Sequence, residues 1–258
     1  MFKPEGIFPA LVTPFSDDGK VVDEERLRVL VNRCIELGVH GVVPCGTTGE
    51  FVNLTTEEKK HVIKTVIDEV NGRVRVVAGT GASGTNEAME MTKYAKDAGA
   101  DAALIVTPFY LKPADRGIYE HYYTIASEVD LPIILYNIPQ CTGLPLPWQM
   151  VEDLAQIPNI VGVKDSSGQL SFILAVLEKV RDKINVLCGH DEVVVAALAA
   201  GCSGAILASA NVIPDVWVQI YNYVKNGELQ KARELQYKVQ KIARIIAGSG
   251  AVGTKEAL

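Results

Sequence analysis

Eight short apolar runs recur along the chain, at 7–12, 41–45, 74–78, 102–106, 133–136, 160–164, 184–188 and 204–208. They are rich in Val and Ile and mostly continuous rather than alternating, the pattern of parallel strands covered on both faces. Segments with helical period separate them. In the first, Leu27, Leu30, Val31 and Cys34 share one face, with Asp23 as expected N-cap, Glu24 and Glu25 in the first turn, and Gly38 as the stop. In the second, Thr55-Thr56-Glu57-Glu58 reads as a capping box ahead of Val62, Ile63, Val66, Ile67 and Val70. Further helices are expected near 86–98, 116–128, 147–156, 169–180 and 191–200, and from 214 onward. Right-handed crossovers through eight parallel strands close into a (β/α)8 TIM barrel. An open doubly wound sheet is the alternative, but it commonly uses fewer strands, and no GxGxxG follows the first run. An amphipathic stretch at 228–246 lies beyond the eighth unit, and 254–258 reads as the opening of another helix. The expected organisation is a barrel over 1–225 with a C-terminal helical extension over 226–258 in the same domain unit.

Composition removes several function classes. With 258 residues, 48% hydrophobic and 22% charged, the chain has the makeup of a folded globular protein and not of a disordered one. Its 25 Lys and Arg against 31 Asp and Glu leave a charge of −6, which opposes a general nucleic-acid-binding role. The most apolar stretch, 193–212, is broken by Gly201, Cys202, Ser203 and Gly204, so it reads as helix–turn–strand and no membrane span is expected. The start MFKPEGIFPALVTPF carries Glu5 and no basic leader, unlike a signal peptide. Five cysteines, at 34, 45, 141, 188 and 202, form no CxxC pair and read as free thiols in a reducing compartment. A cytoplasmic location is expected.

In a β/α barrel, reactive groups gather at the carboxyl ends of the strands. Those ends read Thr13-Pro14, Cys45 to Glu50, Gly79-Thr80-Gly81, Thr107 to Tyr110, Tyr136-Asn137, Lys164 to Ser167, Gly189 to Glu192 and Ser209-Ala210-Asn211. Lys164 ends an apolar run, and burial there disfavours the ammonium; a neutral amine so placed attacks carbonyls and forms a Schiff base. Tyr136 ends the preceding strand and is placed to move protons across the same mouth. Gly46-Thr47-Thr48-Gly49 brings backbone N–H groups and two hydroxyls into a cradle suited to a carboxylate. The bland alternatives are a snorkelling lysine, an ordinary hydrogen-bonded tyrosine and a plain tight turn. His40, His61 and His121 are scattered without ligand spacing, and His190-Asp191-Glu192 lacks the partner pattern a metal needs, so no metal is expected. Asp191 reads either as a helix N-cap or, with Glu192, as a contact for a polyhydroxylated ligand.

Gly46-Thr47-Thr48-Gly49-Glu50, Tyr136-Asn137-Ile138-Pro139 followed by Thr142-Gly143, and Lys164-Asp165 in a Val-Gly-Val-Lys run together resemble the dihydrodipicolinate synthase / N-acetylneuraminate lyase family of class I pyruvate aldolases. The resemblance runs from the first strand to the last residue. It implies that Lys164 forms an imine with pyruvate or another 2-oxo acid, that Tyr136 transfers protons, and that Thr47 and Thr48 hold the pyruvate carboxylate. It also implies that Tyr110 from a neighbouring subunit completes a proton relay through Thr47, and that Gly189 and Ile206 line the site. The implied assembly is a homotetramer built as a dimer of dimers, with no cofactor beyond the covalent imine. Members usually continue past Leu258 with more helix, so the chain is expected to be truncated.

Dihydrodipicolinate synthases carry an arginine two residues after the Tyr-Asn-x-Pro motif, where it grips the carboxylate of aspartate semialdehyde; here that residue is Cys141. A thiol offers no bidentate, charge-assisted pair. Gly189-His190-Asp191-Glu192 is instead similar to the neuraminate-lyase branch, whose acidic pair contacts sugar hydroxyls. The expected activity is therefore a carbon–carbon lyase, a class I aldolase, that joins or releases pyruvate and a small aldehyde and acts on a 2-keto-3-deoxy sugar acid or similar hydroxy-2-oxo acid. The alternatives are 4-hydroxy-tetrahydrodipicolinate synthesis from pyruvate and aspartate semialdehyde, a barrel that binds a 2-oxo acid without turnover and, on a thin glycine signal at Gly189 and 209–211, a phosphate-handling barrel.

Overall fold

The Val- and Ile-rich runs become eight parallel strands in a computed structural model that describes residues 2–258. They are β1 (Gly6–Pro9), β2 (Gly41–Val42), β3 (Arg75–Gly79), β4 (Ala102–Val106), β5 (Ile133–Asn137), β6 (Ile160–Asp165), β7 (Asn185–Cys188) and β8 (Gly204–Leu207). Hydrogen bonding links them in the order β1-β8-β7-β6-β5-β4-β3-β2. A parallel bridge between Ala10 and Val43 brings the two ends of that order together. There the Leu11 N–H donates to the Val43 carbonyl and the Val43 N–H to the Pro9 carbonyl, both at 2.9 Å. The result is a TIM barrel with helices between its strands and a helix after the eighth unit.

The helices are α1 (Glu24–Glu36), α2 (Thr56–Val70), α3 (Thr85–Ala98), α4 (Asp115–Glu128), α5 (Pro139–Thr142), α6 (Trp148–Leu154), α7 (Leu170–Val180), α8 (Val194–Ala200), α9 (Pro214–Lys225) and α10 (Leu229–Glu256). Helix α1 starts where expected: the Asp23 carboxylate accepts from the Arg26 N–H at 2.9 Å, and Gly38 follows with a left-handed φ of 85°. The capping box of α2 is present, with Glu58 accepting from the Thr55 N–H at 2.8 Å and Thr55 Oγ1 from the Glu58 N–H at 3.3 Å.

Three segments differ from the sequence reading. Strand β2 has two residues instead of five, because Pro44 has no N–H to pair and Cys45 turns the chain with φ 56°. The helix expected from 191 opens with a 3-10 turn, Asp191–Val193, before α8. No new helix opens at 254; α10 breaks at Gly250 (φ 58°, ψ −137°) and resumes directly, since glycine adopts that backbone without penalty. Among the described residues no helix is long and apolar enough to cross a membrane.

Packing follows the two faces of the strands. Leu104, Val106, Ile134, Tyr136, Leu187 and Ile206 belong to the cluster that fills the barrel. Ile105, Leu135, Val163 and Cys188 belong to the shell under the helices. Period-two alternation therefore sends every second residue of a strand toward the barrel axis.

Candidate active site

Tyr136 and Lys164 are register partners on adjacent strands β5 and β6. Both are buried, at 4% exposure each, and the Lys164 Nζ lies 4.2 Å from the centroid of the Tyr136 ring. The aromatic face and the burial together fix where the Lys164 side chain ends.

The next residue on each strand fixes this pair. Asn137 Nδ2 donates to Asp165 Oδ1 at 2.7 Å, and Asn137 Oδ1 accepts from the Leu146 N–H at 2.9 Å. Asp165 also accepts from the Ser167 hydroxyl at 2.8 Å, while burial pushes its carboxyl above the usual range. Asn137 and Asp165 carry no reactive role in the sequence reading. Their signal was present as two polar residues, each one position after Tyr136 and Lys164 and so on the opposite strand face.

Gly189, expected only to line the site, makes room for Lys164. A Cβ at Gly189 would lie 2.2 Å from Ser166 Oγ and 2.6 Å from Lys164 Cε, so any side chain there displaces the lysine or the serine. Ile206 is 1% exposed in the barrel-filling cluster that also holds Tyr136.

The third component is the loop after β2. Cys45 and Glu50, at its two ends, adopt left-handed φ values of 56° and 55°. Gly79 lets the neighbouring strand approach, since a Cβ there would lie 2.1 Å from the Cys45 carbonyl oxygen. Thr47 Oγ1 reaches 3.4 Å from the Tyr136 hydroxyl. Among the described residues nothing accepts the backbone N–H of Thr47 or Thr48, which leaves both free for an anion. Cys45, Gly46, Thr47, Gly79, Leu104, Val106 and Tyr136 enclose a cavity of about 10 Å³ beside this contact. A larger concavity, about 770 Å³, is elsewhere, between α1 and the end of α10.

The remaining candidates fall outside this cluster or at its edge. Cys141 is exposed on α5; partial burial of its sulfur pushes the thiol up, and the Lys164 charge acts in the opposite direction. Tyr110 is 90% exposed with φ 73°, so within one chain its ring points to solvent. The acidic pair differs from its expected use on sugar hydroxyls. Asp191 is buried and accepts from the Ser209 N–H at 3.0 Å and from the Ser209 hydroxyl, which in turn accepts from the Trp217 indole at 2.8 Å. Glu192 turns to α10, where Gln240 and the Arg244 guanidinium meet its carboxylate at 3.0 and 3.1 Å. Asp191 satisfies the turn after β8 and Glu192 fastens α10. His40 and His121 lie apart from the mouth, His121 buried against Thr85. Among the described residues no three His, Cys, Asp or Glu side chains gather as a metal ion would need.

The model of the dihydrodipicolinate synthetase family matches residues 3–258. The chain belongs to that family. It is 46% identical over 246 residues to the 4-hydroxy-tetrahydrodipicolinate synthase of Methanopyrus kandleri, covering 95% of this chain and 82% of that relative. It is 45% identical over 243 residues to the enzyme of the same name from Geotalea daltonii, covering 94% of this chain and 82% of the relative. The dihydrodipicolinate synthase of Acinetobacter baumannii, solved in complex with pyruvate, superimposes with a TM-score of 0.91 at 42% identity, covering 94% of this chain and 83% of the other. A prophage protein of the same family from E. coli, also solved with pyruvate, gives a TM-score of 0.94 at 32% identity, covering 98% and 87%. Members of this family are carbon–carbon lyases and synthases that hold pyruvate as a Schiff base on a lysine, without an external cofactor.

Proposed function

We propose that Lys164 is the Schiff-base lysine and that the chain condenses pyruvate with aspartate semialdehyde, forming 4-hydroxy-tetrahydrodipicolinate. The observation that carries the chemistry is the contact set of Lys164 with the Tyr136 ring and of Tyr136 with Thr47. The neutral amine attacks the ketone carbon of pyruvate, and water departs as the imine forms. The Thr47 and Thr48 N–H groups receive the carboxylate and orient the bound substrate. Removal of a C3 proton gives an enamine, whose carbon attacks the aldehyde. The proton lost through Tyr136 returns to the new alkoxide by the same phenol. The amino group of the semialdehyde then attacks the imine carbon, closing the ring and releasing the Lys164 amine.

Two observations support the semialdehyde over a sugar acid. Relatives at 44–46% identity carry the synthase name. Asp191 and Glu192, the residues that favoured a polyol, are engaged by Ser209 and by Arg244 and Gln240. One observation favours a second reading, cleavage of a 2-keto-3-deoxy sugar acid: Cys141 leaves the mouth without a guanidinium for a second carboxylate. Tyr110, exposed beside Leu111 at 77%, is proposed to reach the site of a neighbouring copy of the chain, as a homotetramer would allow.

Borohydride with pyruvate tests the mechanism: a covalent adduct on Lys164 is expected, and an unmodified lysine would remove it. Turnover of pyruvate with aspartate semialdehyde or with glyceraldehyde tests the partner. Selective use of the semialdehyde is expected; selective use of glyceraldehyde would favour the sugar-acid reading.

A further inference from the structure

The threonine loop ends at Glu50, and the charge that meets Glu50 comes from the far end of the sequence. Lys255 Nζ forms an ion pair with Glu50 Oε1, a buried oxygen for which the contact is electrostatic rather than an aligned hydrogen bond. The two side chains are 30% and 23% exposed, so the pair is shielded from much of the solvent's screening. The same ammonium lies 4.5 Å from the Phe15 ring centroid, on the loop after β1. Lys255 is delivered by the break at Gly250, after which Thr254 is fully buried and its hydroxyl donates to the Gly250 carbonyl at 2.8 Å. The segment is therefore docked and the lysine is aimed.

Glu50 connects to the chemistry in one step. Its N–H donates to the Thr47 carbonyl at 3.0 Å, in the residue whose hydroxyl meets Tyr136. Asn53 donates weakly to the other Glu50 oxygen at 3.5 Å, and Thr13 Oγ1 holds the Gly49 carbonyl at 2.8 Å. Glu50 is a non-glycine residue at φ 55°, a conformation that costs energy unless neighbours impose it.

We propose that Lys255 is a positioning residue: through Glu50 it holds the threonine loop in the conformation that receives the pyruvate carboxylate. The proposal rests on the assignment of Thr47 and Thr48 to that carboxylate. Loss of the Lys255 charge loosens the loop, so binding of pyruvate weakens while the amine and the phenol remain in place.

The test uses Lys255→Met, Lys255→Arg, Glu50→Gln and the double variant Glu50→Gln/Lys255→Met in the full chain, with thermal unfolding recorded for each. The readouts are the pyruvate concentration at half-maximal borohydride trapping and the separate KM and kcat. Lys255→Met and Glu50→Gln are each expected to raise the half-saturating pyruvate concentration about fivefold, with kcat changed less than twofold. Lys255→Arg restores it to within about twofold, and the double variant is no worse than either single one. An unchanged half-saturation in Lys255→Met or Glu50→Gln overturns the inference. Additive losses in the double variant do the same, as does a failure of Lys255→Arg to recover while folded. Should Lys255→Met not fold, Glu50→Gln and Lys255→Arg decide alone. If the native chain traps no pyruvate, the functional reading fails and this inference falls with it; normal trapping with an indifferent Lys255 sinks only the inference.

Discussion

Tyr136 lies on β5 and Tyr110 on the loop after the neighbouring strand β4, yet one is 4% exposed and the other 90%. Tyr136 is part of its strand, backed by the Asn137–Asp165 hydrogen bond and facing Lys164 across one rung of the ladder. Tyr110 stands on a loop at φ 73°, beside an exposed Leu111, with its ring in solvent. The barrel supplies fixed geometry where strands end. Tyr110, on a loop that rises above those ends, is the group proposed to find its partner in another copy of the chain.

That contrast breaks first at Lys164. Replacement by Ala is expected to abolish borohydride trapping and lower turnover by about 10⁴-fold or more, because the covalent route is removed outright. Adduct formation in Lys164→Ala would show that the strand-end amine is not the nucleophile. Tyr136→Phe is expected to keep trapping while kcat falls about 10²- to 10³-fold, the usual loss of a positioned proton-transfer group. If Tyr110→Phe reduced kcat more than Tyr136→Phe, the exposed tyrosine would be the chief proton carrier and the comparison would reverse.

Sequence periodicity was enough to place the eight strands, because each run is covered on both faces and leaves no alternating polar residue to confuse it. The juxtaposed pair proposed to react was legible for the same reason: Lys164 and Tyr136 are the polar ends of runs that are otherwise apolar. Contacts between distant segments were not legible. Asp191 and Glu192 look like a free acidic pair in one dimension, and only the fold brings Ser209 and Arg244 to them, 18 and 52 residues away. Glu50 and Lys255 are likewise joined only when α10 folds back at Gly250.

The loop of Tyr110 runs into α4 (Asp115–Glu128), and the burial of His121 on that helix is expected to make its packing sensitive to pH. His121 is buried on α4, and burial lowers its pKa from 6.5 to about 4. The folded state holds the imidazole neutral while the unfolded chain takes up a proton first. The stability present above pH 6.5 is lost progressively as pH falls from 6.5 toward about 4. The difference corresponds to about 3 kcal/mol as an upper value, or about 150-fold in the folding equilibrium. Urea unfolding at pH 7 and pH 4.5 measures it, with His121→Gln expected to flatten the difference. An equally steep acid loss in that variant would place the sensitivity elsewhere.

A smaller effect falls on the rim and decides what the rim selects. Cys141 is exposed on the short helix α5, directly after the strand that carries Tyr136, and the sequence resemblance places a carboxylate-gripping arginine there. A guanidinium at 141 offers a charge-assisted pair of donors where the thiol offers one weak donor. Such a pair contributes about 1.5 kcal/mol, so Cys141→Arg is expected to lower the KM for aspartate semialdehyde about tenfold. Pyruvate trapping should stay within about twofold, because the cradle at Thr47 and Thr48 belongs to another strand end. A fall in KM for the semialdehyde alone would mark position 141 as the point where loops tune the partner without touching the barrel's chemistry. An equal change for pyruvate would mean that rim and strand ends are one coupled unit, and the contrast between the two tyrosines would lose its meaning.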